Sequence, residues 1–393
     1  MTTNWVVKAI IVLILFKPTT SWANDIYINQ SGDNIDMTIV QDGENNVISS
    51  VAGNTRKAPI SGNNTNTTFT QTGDNNDIGV YMSAGNGQQT VTQTGNTNYA
   101  TSDCHGNNCS TTITQYGNNN LANLEFGNGG DYDQTGTITQ DGDYNAAGIE
   151  ANGDDNTFVI DQDGDNNAVG GITGAPITGN NNSLSITQNG DYMTFEGHLI
   201  GSNNSLTSFQ GGSANNSFIR VSTVGSNNTG DLRQGKRLDG NVDNNDSGNH
   251  EQYITVVGDG NTVNTSQVNS NGANSDHHMA HIITGDSNTL SHEQFANNKK
   301  QGYIEITGDS NTVSLQQRNG ANHLADINLT GDDHTVTGTQ WGQGGAHNFT
   351  VDLTNSGGAY NMSTTQTSNT AQTYSLTGSC ATVGGCAVSV FQN

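Results

Sequence analysis

Short stretches in which apolar or amide residues alternate with small polar ones recur along the chain, each closed by a glutamine and followed by a glycine. The alternation ends at Gln71 in TTFTQTGDNN, Gln93 in QTVTQTGNTN, Gln115 in TTITQYGNNN, Gln140 in GTITQDGDYN, Gln162 in TFVIDQDGDNN and Gln188 in SLSITQNGDY. The intervals are 22, 22, 25, 22 and 26 residues, a near-fixed period that marks a repeat array. Looser copies carry the frame through Gln210, Gln234, Gln267, Gln294, Gln317, Gln340, Gln366 and Gln392. The long interval after Gln234 holds GKRLDGNVDNNDSGNHE, which reads as an inserted loop.

Period-two alternation predicts strands, and the glycine-rich stretches between them predict arcs. Around Gln162, the residues Asn156, Phe158, Ile160 and Gln162 share one parity, which Asn167 and Val169 continue after the arc; this parity faces inward. Glycine supplies backbone conformations that other residues avoid, and the Asn or Asp beside it tolerates the left-handed region. Stacked copies lie about 4.7 to 4.8 Å apart, so inward amides form ladders in which every buried group finds a partner in the next coil. The fold expected is all-β: an amyloid-like, parallel, two-layered β-solenoid of about fifteen strand-arc-strand coils. The ladder positions are Gln71, Gln93, Gln115, Gln140, Gln162 and Gln188 with Asn76, Asn98, Asn120, Asn145 and Asn167; the arc glycines are Gly73, Gly95, Gly117, Gly142, Gly164 and Gly190.

Composition agrees with a thin core. Only 31% of the 393 residues are hydrophobic, 12% are charged and 50 are glycine, too little apolar material for a thick interior. Just 3 prolines leave long stretches free for strands. A formal charge of −25 lacks the basic footprint that nucleic acid or an anionic membrane requires, so nucleic acid is not expected as a partner.

Residues 1–23 resemble a signal peptide: Lys8, an apolar run from Ala9 to Phe16, and Ser21-Trp22-Ala23 as the cleavage site. The run falls short of the roughly 20 residues that span a bilayer. Expected divisions are then a repeat block at 24–234, the inserted loop at 235–252 and a looser block of the same solenoid at 253–393. In an exported chain the close pairs Cys104/Cys109 and Cys380/Cys386 favour local disulfides over a zinc site. Cys109 lies six before Gln115 and Cys386 six before Gln392, the same inward position in two coils.

The unit N/S-x-φ-x-φ-x-Q-x-G-x-x-N-x-[AVI] resembles the curlin repeat of bacterial curli subunits, with Gln140, Gly142, Asn145 and Ala147, or Gln162, Gly164, Asn167 and Val169, at the motif positions. The match is best from Thr68 to Gly190. It departs where the family's closing glutamine is replaced, for example by Phe126 and Ala151, so one ladder is missing. The resemblance implies a secreted subunit that self-associates, with other curlin-type subunits, into extracellular fimbria-like fibres for adhesion and biofilm matrix. It also implies an outer-membrane secretion pore and periplasmic chaperones as partners. Alternatives are a minor subunit that nucleates such fibres, and a monomeric solenoid that acts as an adhesin or binds ice or another ligand.

Other side chains carry rival readings. Aligning the second arcs at Gly258, Gly285, Gly308 and Gly331 places His281 and His292 face to face across one coil, a weak metal candidate or an acid-sensitive pair. His277 and His278 read as a solvated loop cluster, and Arg220, Lys299 and Lys300 as charges that slow premature assembly. Outward Thr68/Thr70, Thr90/Thr92, Thr112/Thr114 and Thr137/Thr139 form the array behind the ice-binding alternative, which ends at Val159/Asp161. Asp161, Asp163 and Asp165 alternate like the start of a calcium loop, but Asn166 stands where that loop needs glycine. No catalytic motif is present, so neither an enzyme nor a cofactor is expected.

Overall fold

The computed structural model describes residues 24–26, 29–48, 59–82, 85–103, 108–126, 133–170, 176–212, 217–240, 249–269, 277–296, 298–319, 322–354, 358–378 and 384–393. The segment expected to be a signal peptide, and Cys104 and Cys380, lie outside them. The chain is an all-β, parallel β-solenoid of about 13 turns, slightly fewer than the fifteen expected. It divides into two compact units, Met1–Leu184 and Ser185–Asn393.

In the first unit, strands Asp36–Asp42, Asn66–Thr72, Gln88–Thr94, Ser110–Tyr116, Thr135–Asp141 and Thr157–Asp163 pair in that order, all parallel. Their register joins like to like: Phe69, Val91, Ile113, Ile138 and Ile160 form one buried column. A one-residue slip would turn that column to solvent, so the burial pattern itself enforces the register. Shorter strands stack opposite, as in Val47–Ile48, Asp77–Ile78 and Tyr99–Ala100. The outward threonines at 68, 90, 112 and 137 are also in register, and Val159 ends the row.

Strand Ser183–Asn189 spans the unit boundary. In the second unit the long strands are Ser205–Gly211, Thr229–Gln234, Thr262–Val268, Thr289–Phe295, Thr312–Arg318, Thr335–Trp341, Tyr360–Gln366 and Cys386–Gln392, again parallel and in sequence order. Thr229–Gln234 and Thr262–Val268 pair directly across the insertion, with Gln234 opposite Gln267. The insertion therefore leaves the ladder without breaking it.

Both arcs use one turn. Gly73, Gly95, Gly117, Gly142 and Gly164 have φ between 98° and 122°, and two residues on Asn75, Thr97, Asn119, Tyr144 and Asn166 sit near 57° to 60°. A side chain at the glycine would strike the carbonyl of the next coil's glycine, as at Gly142 against Gly164. The glycine is thus demanded twice, by conformation and by close stacking.

Candidate functional site

Side-chain amides form ladders along the described coils. Along the glutamine column Gln71 donates its Nε2 to Gln93 Oε1 at 3.0 Å, Gln93 to Gln115 at 2.9 Å, Gln115 to Gln140 at 2.8 Å and Gln140 to Gln162 at 2.8 Å. The second amide hydrogen crosses the core to a backbone carbonyl on the short-strand side, from Gln115 to Tyr99 O (3.1 Å) and from Gln140 to Leu121 O (2.9 Å). Each amide therefore joins both neighbouring coils and both layers, which is how fully buried glutamines avoid an unmet polar group.

The arc asparagines work upward on the next coil. Asn120 Oδ1 accepts the backbone N–H of Asn145 at 2.9 Å while its Nδ2 donates to Gly142 O at 2.7 Å. Asn76 and Asn98 do the same, with Asn98 and Asn120 supplying the accepted N–H groups and Gly95 and Gly117 the carbonyls. Asn145 accepts from Asn167 at 3.0 Å and donates to Gly164 O at 2.7 Å. On the arc's outer side the residue after the glycine adds a third tie: the Asp74, Asn96, Asn118 and Asp143 N–H groups donate to side-chain oxygens of Asn96, Asn118, Asp143 and Asp165. The Q-x-G-[DN]-x-N pattern is therefore a set of side chains that satisfy the next coil's backbone.

In the second unit Gln188 donates to Gln210 at 2.8 Å, Gln210 to Gln234 at 2.9 Å, and Gln234 to Gln267 and Gln267 to Gln294 at 3.2 Å each. Gly190 keeps the arc conformation with φ 138°. The asparagine ladder moves to the other arc, where Asn228, Asn261, Asn288 and Asn311 each receive the N–H of the next rung.

Cys109 and Cys386 are both disulfide-bonded, and no described cysteine is free. Where the closing glutamine is missing, Phe126 stacks on Phe158 with ring centroids 5.9 Å apart, an apolar contact in place of a rung. His281 and His292 meet edge to face at 5.3 Å, both fully buried. Burial lowers the His292 ring to a pKa of about 3; His281 is lowered well below the usual value by burial and then by His292 and His278. Among the described residues no three His, Cys, Asp or Glu side chains converge as a metal site requires.

Two expectations need correction. His277 is not a solvated loop residue: it is fully buried and stacks on His250 at 5.3 Å, while its neighbour His278 is partly exposed and lies 3.5 Å from Glu251. Lys300 is not a surface charge either. It is fully buried one coil beyond His277, with Nζ donating to Asn298 O at 3.0 Å, and burial lowers its pKa to about 7. His250, His277, Lys300, His323 and His347 thereby form one inward column, joined by bridges from 250 to 277 and 300 to 323 and by a 5.0 Å stack of His323 on His347. Counting eight back from Gly258, Gly285, Gly308 and Gly331 lands on the first four of these residues, a signal hidden when the copies are aligned on glutamine.

The insertion contributes a cluster that sequence reasoning missed. Arg237 lies 3.3 Å from Glu293, whose other oxygen meets Arg318 at 2.8 Å. Arg237 also covers the Phe295 ring and Lys236 the Phe209 ring, so the segment after Gln234 is strapped over the outer face of its unit.

A family model described as the curlin associated repeat matches residues 133–164 and 153–190. No curated protein matches the chain. The matched segments contain the Gln140 and Gln162 rungs and the Gly142 and Gly164 arcs described above, so residues 133–190 are similar to the curlin associated repeat.

Proposed function

We propose that the chain is an exported structural subunit that self-assembles, coil on coil, into extracellular amyloid-like fibres serving adhesion and biofilm matrix. The observation that carries this is the open valence of the ladder. From Gln71 to Gln140 each glutamine rung offers an Nε2–H to the following coil and an oxygen to the preceding one, as Gln115 does between Gln93 and Gln140. Nothing in such a rung distinguishes the next coil of the same chain from a coil of another, so the contacts that build the solenoid also add strands to it. Other curlin-type subunits as co-assemblers, an outer-membrane pore and periplasmic chaperones belong to the same reading, as does a cell-surface location.

Thioflavin kinetics on the purified chain lacking residues 1–23 test this. A lag followed by growth, with the lag abolished by preformed seeds of the same chain, is the expected result. A chain that stays monomeric for days at tens of micromolar, or that shortens another subunit's lag without growing itself, overturns it in favour of an adhesin or a nucleator respectively.

A further inference from the structure

The second unit keeps an asparagine ladder on one arc but, on three rungs, satisfies the same backbone group with different chemistry. In the first, the N–H that opens a rung is accepted by an asparagine Oδ1, which is an acceptor at any pH. In the second, three such N–H groups are accepted by imidazole nitrogens: Lys300 N–H by His277 Nδ1 (3.3 Å), His347 N–H by His323 Nδ1 (3.3 Å) and Tyr360 N–H by His334 Nδ1 (3.0 Å). A ring nitrogen accepts only while it is unprotonated, and His323 Nε2, 2.9 Å from Arg318 O, is placed to carry the ring's one proton. Of the 10 histidines only His105 lies in the first unit.

We propose that the Ser185–Asn393 unit is a proton-gated half of the molecule, whose coils close when His277, His323 and His334 are neutral acceptors and open in mild acid, while the first unit, whose described rungs use no imidazole, stays closed. The surroundings of the rungs support this. His277 is sandwiched between His250 and Lys300, and His323 faces Lys300 and His347, all of which oppose a positive ring. The nearby carboxylates are engaged elsewhere, Glu293 by Arg237 and Arg318, and Glu251 by His278 and the Tyr253 hydroxyl. Asp332 and Asp333 favour a charged His334, against its burial beside Tyr360. Burial, then the neighbouring cations, lowers His277 well below the ordinary imidazole value and His323 to about 4.

The sign follows. Unfolded imidazoles take up protons near pH 6.5 that the folded rungs reject, so stability of this unit is full above that pH and is lost as pH falls toward about 4. Each fully shifted ring lowers the folding equilibrium constant about tenfold per pH unit in that window. The gate is a property of the fold and holds whether or not the chain polymerises.

Urea unfolding of the full chain tests it, with one fluorescent reporter per unit. Trp341 reports the second unit in a Trp5→Phe/Trp22→Phe background, and Tyr116→Trp combined with Trp341→Phe in that background reports the first. Between pH 7.5 and 5 the Trp341 midpoint should fall by at least half while the midpoint read at position 116 stays level. Replacing His277, His323 and His334 by Asn, which installs the first unit's rung, should remove at least half of the Trp341 pH slope. Equal falls at the two reporters, or a flat Trp341 profile, would overturn the gate. Should the triple variant fold and keep the full slope, the imidazole rungs are not its cause.

Discussion

Gln115 donates its amide to Gln140 at 2.8 Å across 25 residues of chain, although the units on either side of this pair repeat at 22. The three extra residues are absorbed outside the rung, so the ladder, and not the loop length, sets the spacing of the coils. The same pair gives the first prediction. Gln140→Leu leaves the Gln115 donor, the Gln162 acceptor and Leu121 O without their partner. A loss of about 2 to 4 kcal/mol is expected from unmet buried groups, read as a lower urea midpoint with an unchanged slope.

Gly142 combines a φ of 122° with the carbonyl of Gly164 directly above it. Gly142→Ala should cost about 3 kcal/mol or more, since strain and clash act together. Gly240, also at positive φ but with open space around it, is the control: its alanine variant should cost about 1 kcal/mol. Equal midpoints for the two variants would contradict the stacking argument.

Glu293 is 5% exposed between Arg237 and Arg318. Glu293→Ala should cost about 1 to 3 kcal/mol by leaving Arg318 without its carboxylate and Arg237 with Asp239 alone, and it should loosen the strap. Limited trypsin digestion detects this as accelerated cleavage after Lys236 and Arg237, with the wild type protected.

Burial lowers the Lys300 pKa from 10.5 to about 7, so the penalty on folding is full below about pH 7 and is relieved as pH rises towards 10.5. Stability should rise as pH is raised from about 7 towards 10, the opposite of what an exposed lysine in a salt bridge would show. Lys300→Met should remove that rise and stabilise the protein at pH 7 by about 2 kcal/mol. A midpoint lower than wild type at both pH 7 and pH 10 would contradict it.

Cys109 and Cys386 are disulfide-bonded, and the expected partners are Cys104 and Cys380, so native protein should react with no alkylating agent until reduced. Reduction should cost about 2 kcal/mol per bridge, because each closes a short loop. Mass spectrometry of alkylated peptides before and after reduction checks the first, and urea unfolding the second.

Much of this architecture was legible along the chain. Alternation about Gln71 through Gln162 and the glycine two residues later are local patterns, governed by the two-residue pleat and by backbone sterics, and these act before any contact between coils. The inward parity of Phe158, Ile160 and Gln162, and the meeting of His281 with His292, follow from counting alone.

What only the tertiary structure decided is which residue each ladder position meets when the arcs differ in length. His277 lies ten residues after Gln267, but Lys300 and His323 lie six after their glutamines and His347 seven. No single offset from the rung shows them as one column, and a polar run such as HH or KK looks solvated. The first arc varies in length, so His277, Lys300 and His323 keep a fixed distance to the following arc glycine but not to the preceding glutamine, and only the stacked structure shows which of the two frames holds. Arg237 and Glu293, 56 residues apart, likewise meet only because the solenoid returns to the same face on every turn.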